Sequence, residues 1–138
     1  MRVLIADDRA NVRSALRLIL SQDDEMQVVG EVAGIEQLVT AIRATQPDVL
    51  LLEWELLSSE SALKIAELKK DFPQVEIIAM SGRPELRKAA AAAGVDVFIS
   101  KVDPPERLVS QLHSVGSAGQ LDDPADEGQP GSNRRQEE

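Results

Sequence analysis

The stretch Asp48-Val49-Leu50-Leu51-Leu52-Glu53-Trp54-Glu55 decides how the rest of the chain is read. Four apolar residues in a row end abruptly in a carboxylate. The run shows no alternation of polar and apolar residues, and it is short. It predicts a strand buried on both faces rather than a surface strand or a helix. Such a strand delivers Glu53 to the end of a sheet.

On the N-terminal side, Val3 to Ala6 is a second short apolar run, stopped by Asp7-Asp8. Val12, Leu16, Ile19 and Leu20 then recur at helical spacing, with Arg9, Arg13 and Arg17 on other faces. Met26 to Val32 reads as a strand weakened by Gly30. Ile35, Leu38, Val39 and Ile42 mark a helix that Pro47 brings to an end. On the C-terminal side, Ser58 to Asp71 predicts a helix with Leu63, Ala66 and Leu68 as its inner face. Val75 to Met80 is a strand, and Leu86 to Ala93 a helix capped by Gly94. Val95 to Ser100 is the fifth strand. Asp103-Pro104-Pro105-Glu106 carries the signals of a helix start, and Leu108, Val109, Leu112 and Val115 form its apolar stripe.

Five strands alternating with five helices over short connections predict a doubly wound α/β domain on a parallel sheet. Beyond Gly116 the composition turns to Gly, Pro, Ser, Gln and acids. The expectation is a folded domain over 1–116 and a disordered acidic tail over 117–138.

The chain has 138 residues, enough for one core, and no cysteine, which excludes disulfides, zinc–thiolate sites and thiol catalysis. Its net charge is −9. An acidic balance argues against nucleic acid as a partner, because phosphate binding needs cations. No apolar run approaches the roughly 18 residues of a membrane span, and the first residues do not form a signal peptide. The expected setting is cytoplasmic, with no membrane partner.

In a doubly wound domain, ligands gather at the carboxyl ends of the strands. Asp7 and Asp8 follow the first strand, Glu53 ends the third, Ser81 follows the fourth and Lys101 the fifth. Carboxylates crowded in one cleft repel each other, and a hard cation such as Mg2+ would relieve the repulsion. Ser81 and Lys101 offer a hydrogen-bond donor and a point charge for an anion.

These segments, in this order, resemble a response-regulator receiver domain, the phosphorylated partner of a sensor histidine kinase. The resemblance runs from about Arg2 to Val115. It rests on Val-Leu-Ile-Ala-Asp-Asp at the start, Pro47-Asp48-Val49-Leu50-Leu51-Leu52, Met80-Ser81-Gly82 and Phe98-Ile99-Ser100-Lys101. It implies a five-stranded flavodoxin-like (βα)5 fold with strand order 2-1-3-4-5. It implies that Asp7, Asp8 and the residue at position 53 hold Mg2+, with Asp8 the direct ligand and the Glu55 backbone as a further donor. Ser81 and Lys101 would engage a phosphoryl group, and Phe98 would act as the aromatic switch.

The resemblance also puts the phosphoacceptor aspartate at position 53, where this chain has Glu. The usual Pro and Gly after the acceptor are replaced by Leu57-Ser58-Ser59-Glu60-Ser61, and Lys101 is followed by Val102. The extra methylene of Glu53 disturbs the in-line geometry of phosphotransfer. The reading is therefore a stand-alone, atypical receiver that is not an enzyme. It acts by contact with a sensor kinase, a downstream signalling protein or a second copy of itself. The alternative is a Mg-dependent phosphotransfer or hydrolase enzyme using Asp7, Asp8 and Glu53.

Overall fold

A computed structural model describes residues 1–121, apart from the side chains of Ser58, Ser59 and residues 116–121. The chain alternates strands and helices: β1 (Arg2–Ala6), α1 (Ala10–Ser21), β2 (Gln27–Val32), α2 (Leu38–Thr45), β3 (Val49–Glu53), α3 (Ser61–Asp71), β4 (Glu76–Ser81), α4 (Arg87–Ala93), β5 (Val97–Ser100) and α5 (Pro105–Leu121). Short 3-10 segments lead into α2, α3 and α4. The five strands form one sheet in the order β2-β1-β3-β4-β5, and every pairing is parallel. This is the doubly wound (βα)5 architecture the sequence predicts.

Met1–Leu108 make one compact unit that holds the whole sheet, and a second begins at Val109, within α5. Helix α5 runs five residues beyond the boundary expected after Gly116, and the rest of the predicted tail, 122–138, lies outside the described residues.

β3 sits at the centre, and all five of its residues are buried. Leu50 and Leu52 point to one face, where they join Leu4, Ala6, Ile77 and Ala79 in a core closed by Leu38 and Ile42 of α2, Ile65 and Leu68 of α3 and Ala90 of α4. Val49 and Leu51 alternate to the other face. A strand paired and covered on both sides has no solvated residue, which is why its sequence is an unbroken apolar run. Burial of a leucine side chain contributes on the order of 1.5–3 kcal/mol, so β3 is the main anchor of the fold.

Two glycines have a local reason. A Cβ on Gly30 would stand 3.2 Å from the Leu4 side chain, at the point where the β1–β2 register slips between Val3 and Leu4. Gly94 ends α4 at φ 105°, a left-handed conformation that side chains resist.

The predicted inner face of the third helix is corrected. The segment Trp54–Glu60 is a 3-10 helix, and α3 starts only at Ser61. Ile65 and Leu68 face inward with Phe72 beyond them, while Leu63 is 58% exposed. Three residues per turn before Ser61 instead of 3.6 shift the phase of the buried stripe. Strand β5 likewise begins at Val97 rather than Val95, because the Val95 N–H still bonds the Ala90 carbonyl of α4.

Candidate functional site

Parallel pairing sets the ends of the strands side by side. Ala6 pairs with Leu52, Glu53 with Met80, and Ser81 with Ser100. Asp7 and Lys101, one residue past β1 and β5, therefore reach the same rim as Glu53. Asp7 is 2% exposed and Glu53 5%. Two carboxylates this deeply buried need compensating charge.

The charge comes from Lys101. Its Nζ donates to Asp7 Oδ2 at 2.7 Å and to Glu53 Oε1. Arg9 adds a second, looser cation, with Nε 3.9 Å from Asp7 Oδ1 and Nη2 3.7 Å from Glu53 Oε1. The remaining acceptors are also used. The Arg9 N–H donates to Asp7 Oδ1 at 2.9 Å, and the Glu55 N–H donates to Glu53 Oε2 at 3.1 Å. Two buried carboxylates thus face two cations, and each carboxylate oxygen has a partner.

Asp8 stands apart. It is exposed, and among the described residues Asp7, Asp8 and Glu53 do not bring one oxygen each within 4.8 Å of one another. Oxygens sharing one Mg2+ lie at most ~4.2 Å apart, twice the metal–oxygen distance of 2.0–2.1 Å. As arranged here, the three acids do not all reach one ion directly, and Lys101 bridges Asp7 and Glu53; Mg2+ takes only one or two carboxylates and completes its shell with water.

Ser81 is fully buried, and its Oγ accepts the Arg83 N–H at 3.0 Å. That bond shapes the turn out of β4. Lys101 is tied to the same strand end through its own N–H, which donates to the Ser81 carbonyl at 2.8 Å. Phe98 is 6% exposed and packs in the core on the α4 side of the sheet.

Sequence reasoning put Asp7, Glu53, Ser81 and Lys101 at one rim, and they are there. It passed over three arginines. Arg9 was read only as a helix-surface residue, although its place directly after the acidic pair is a signal. Arg83 spans the two loops at the rim, with Nη1 3.2 Å from Glu55 Oε2 and Nε 3.2 Å from Glu85 Oε2. Those carboxylates hold the Arg83 guanidinium above its already high ordinary pKa. In return, Glu85 is held below the usual carboxylate range, first by a bond from its own backbone N–H and then by Arg83. Arg87 reaches from α4 to Phe98, a contact no spacing rule announces.

Comparison with known proteins agrees with this fold. The family described as "Response regulator receiver domain" matches residues 3–113. The chain is 30% identical over 117 residues to the uncharacterized transcriptional regulatory protein YhcZ of Bacillus subtilis, covering 82% of this chain and 55% of YhcZ. It is 29% identical over 113 residues to the transcriptional regulatory protein DesR of the same organism, covering 82% and 57%. The chain thus spans little more than half the length of either relative. Among solved structures, the isolated REC domain of RcsB from Salmonella enterica serovar Typhimurium, in the presence of phosphomimetic BeF3-, superposes with a TM-score of 0.76 at 24% identity, covering 85% of this chain and 88% of that one. RcsB bound to promoter rprA gives 0.77 at 24% identity, covering 85% and 60%.

One expectation is overturned by these findings. Nucleic acid was excluded as a partner on the acidic balance of the chain. Yet the relatives are named as transcriptional regulatory proteins, and RcsB has been solved on promoter DNA. The charge argument fails because net charge describes only the surface that carries it. An acidic receiver is compatible with a DNA-directed output in the proteins that contain one. Among the described residues no helix is long and apolar enough to cross a membrane. The matched residues, the strand order and the cluster of Asp7, Glu53 and Lys101 at the strand ends lead to one conclusion: this chain belongs to the response-regulator receiver domain family.

Proposed function

We propose that this receiver domain signals by protein contact without regulated phosphorylation at its acceptor position. The observation that carries the reading is the bond of Lys101 to Glu53, shared with Asp7 at 2.7 Å. Both Glu53 oxygens are engaged, Oε1 by Lys101 and Oε2 by the Glu55 N–H. A nucleophile must present a free oxygen in line with the group it attacks, and small misplacements cost large factors in rate. Glu53 has the extra methylene that carries its carboxylate onto Lys101, the cation that a phosphoryl group would otherwise use.

The carboxylate therefore stands in for part of what a phosphoryl group would do, one charge against its nearly two. Lys101 and Arg9, which also reach Asp7, hold it there. The partner is a sensor kinase or a downstream signalling protein. The naming of YhcZ and DesR as transcriptional regulatory proteins favours a role in transcriptional control. The alternative of a metal-dependent hydrolase finds no support in the spread of Asp7, Asp8 and Glu53.

The test is incubation with Mg2+ and acetyl phosphate, followed by intact mass. The wild-type mass is expected to stay unchanged, while Glu53→Asp gains one phosphoryl group. A stable phosphoryl group on Glu53 of the wild type would overturn the proposal.

A further inference from the structure

Phe98 lies in the middle of β5, three residues before Lys101, and its ring is almost wholly buried. A surface residue lies over the ring. Arg87, the first residue of α4, is itself exposed, and its guanidinium carbon stands 5.0 Å from the centre of the Phe98 ring. The same guanidinium donates from Nη1 to the Phe98 carbonyl oxygen at 3.2 Å. One side chain thus holds both the ring and the backbone of a single residue. A cation over a ring face is attracted by the ring's quadrupole, and a planar fork is well suited to a stack and a hydrogen bond at once.

The other Phe of the chain gives a measure of how specific this is. Phe72 also has an arginine nearby, Arg43, at the longer distance of 5.8 Å, and no bond from Arg43 to the Phe72 carbonyl is found among the described residues. Phe72 sits at the end of α3, with its N–H bonded to the Leu68 carbonyl, and is held by the helix itself. Phe98 stands in a short edge strand of four residues, paired on one side only. An aromatic on such a strand has less backbone holding it in, so a side-chain clasp matters more.

We infer that Arg87 is a latch that keeps Phe98 in its buried position, so that the surface made by α4 and β5 presents one form whatever happens at Glu53. Arg87 is a positioning residue and touches none of the acidic cluster. The inference stands independently of whether Glu53 can be phosphorylated. A partner that reads the α4–β5 surface must then meet Arg87, and release of Phe98 is controlled from that surface rather than from the acceptor end.

The chain has two phenylalanines, so labelling with 4-fluorophenylalanine gives two 19F resonances, and Phe72 serves as the internal control for folding. The wild type is expected to show one sharp Phe98 line with little relaxation by a neutral gadolinium chelate. In Arg87→Ala the Phe98 line should shift and its relaxation by the chelate rise severalfold, with the Phe72 line unmoved. Arg87→Met keeps an apolar stem over the ring but lacks the charge and the fork, and it should also lose protection. Three results would overturn the latch: two Phe98 lines in the wild type, an unchanged Phe98 line in Arg87→Ala, or full protection in Arg87→Met, which would mean simple shielding by the stem.

Discussion

The two ends of the sheet use the same chemistry and put it in opposite surroundings. At the carboxyl end, Lys101 joins Asp7 and Glu53, and both carboxylates are withdrawn from water. At the amino end, the exposed Asp48 accepts the Arg2 N–H at 2.8 Å, and the exposed Arg2 Nε reaches the Thr45 carbonyl at 3.2 Å. Between these extremes, Asp96, whose side chain is 29% exposed, accepts both the Ile77 N–H and Lys69 Nζ at 2.8 Å. Removing a partner in water leaves a solvated group, whereas removing one in the interior leaves a bare charge. The acidic cluster is therefore the place where a lost partner costs most, and the amino end is ordinary surface.

This contrast can be broken by substitution and urea unfolding. Lys101→Met should destabilise the fold by about 3–5 kcal/mol, because it leaves two buried carboxylates with only the looser Arg9 as counter-charge. Making Asp7→Asn and Glu53→Gln in the same chain should recover much of that loss, since the stranded charges are then gone. If the single change costs no more than an amino-end change, the cluster is solvated and the comparison fails. Asp96→Ala should cost about 1–3 kcal/mol, for it leaves the Ile77 N–H without its carboxylate, and Asp48→Ala about 0.5–1.5 kcal/mol. A reversal of that order would show that burial is not what grades these sites.

The smallest effect belongs to the exposed pair of Arg83 and Glu85. Glu85 has a lowered pKa in the folded chain, relative to its ordinary 4.5. Its contribution is therefore present above the ordinary value and is lost as pH falls through the lowered one. Carboxyl 13C shifts followed against pH should show Glu85 titrating below the usual glutamate range. Arg83→Ala should return it only part of the way, because its own backbone N–H is the larger cause. A full return would make Arg83 the dominant partner, and no return would remove it from the rim network.

Much of the fold is legible in local patterns. Four short apolar runs ending in Asp7, Glu53, Ser81 and Lys101 announce buried parallel strands, and the helical spacing between them supplies the crossovers. The third helix was misphased because a 3-10 turn leaves no clear mark in Trp54-Glu55-Leu56-Leu57, where Trp54 and Leu57 are both buried. Arg87 was invisible for a different reason. Its target lies 11 residues away on another element, and an exposed arginine at the start of a helix reads as surface.

The sequence by itself determined the sheet, the rim where its charged residues gather, and the glutamate that ends the central strand. Those follow from periodicity and residue type, which are local properties of the chain. Only the tertiary structure decided that Lys101 joins residues 94 and 48 positions away, that Asp8 stands outside the cluster, and that Arg87 closes over Phe98. Each of those depends on where a flexible side chain finds its partner once the strands are aligned. No spacing rule encodes it, because the energy at stake is that of buried charge and ring contact, which exists only after the core has closed.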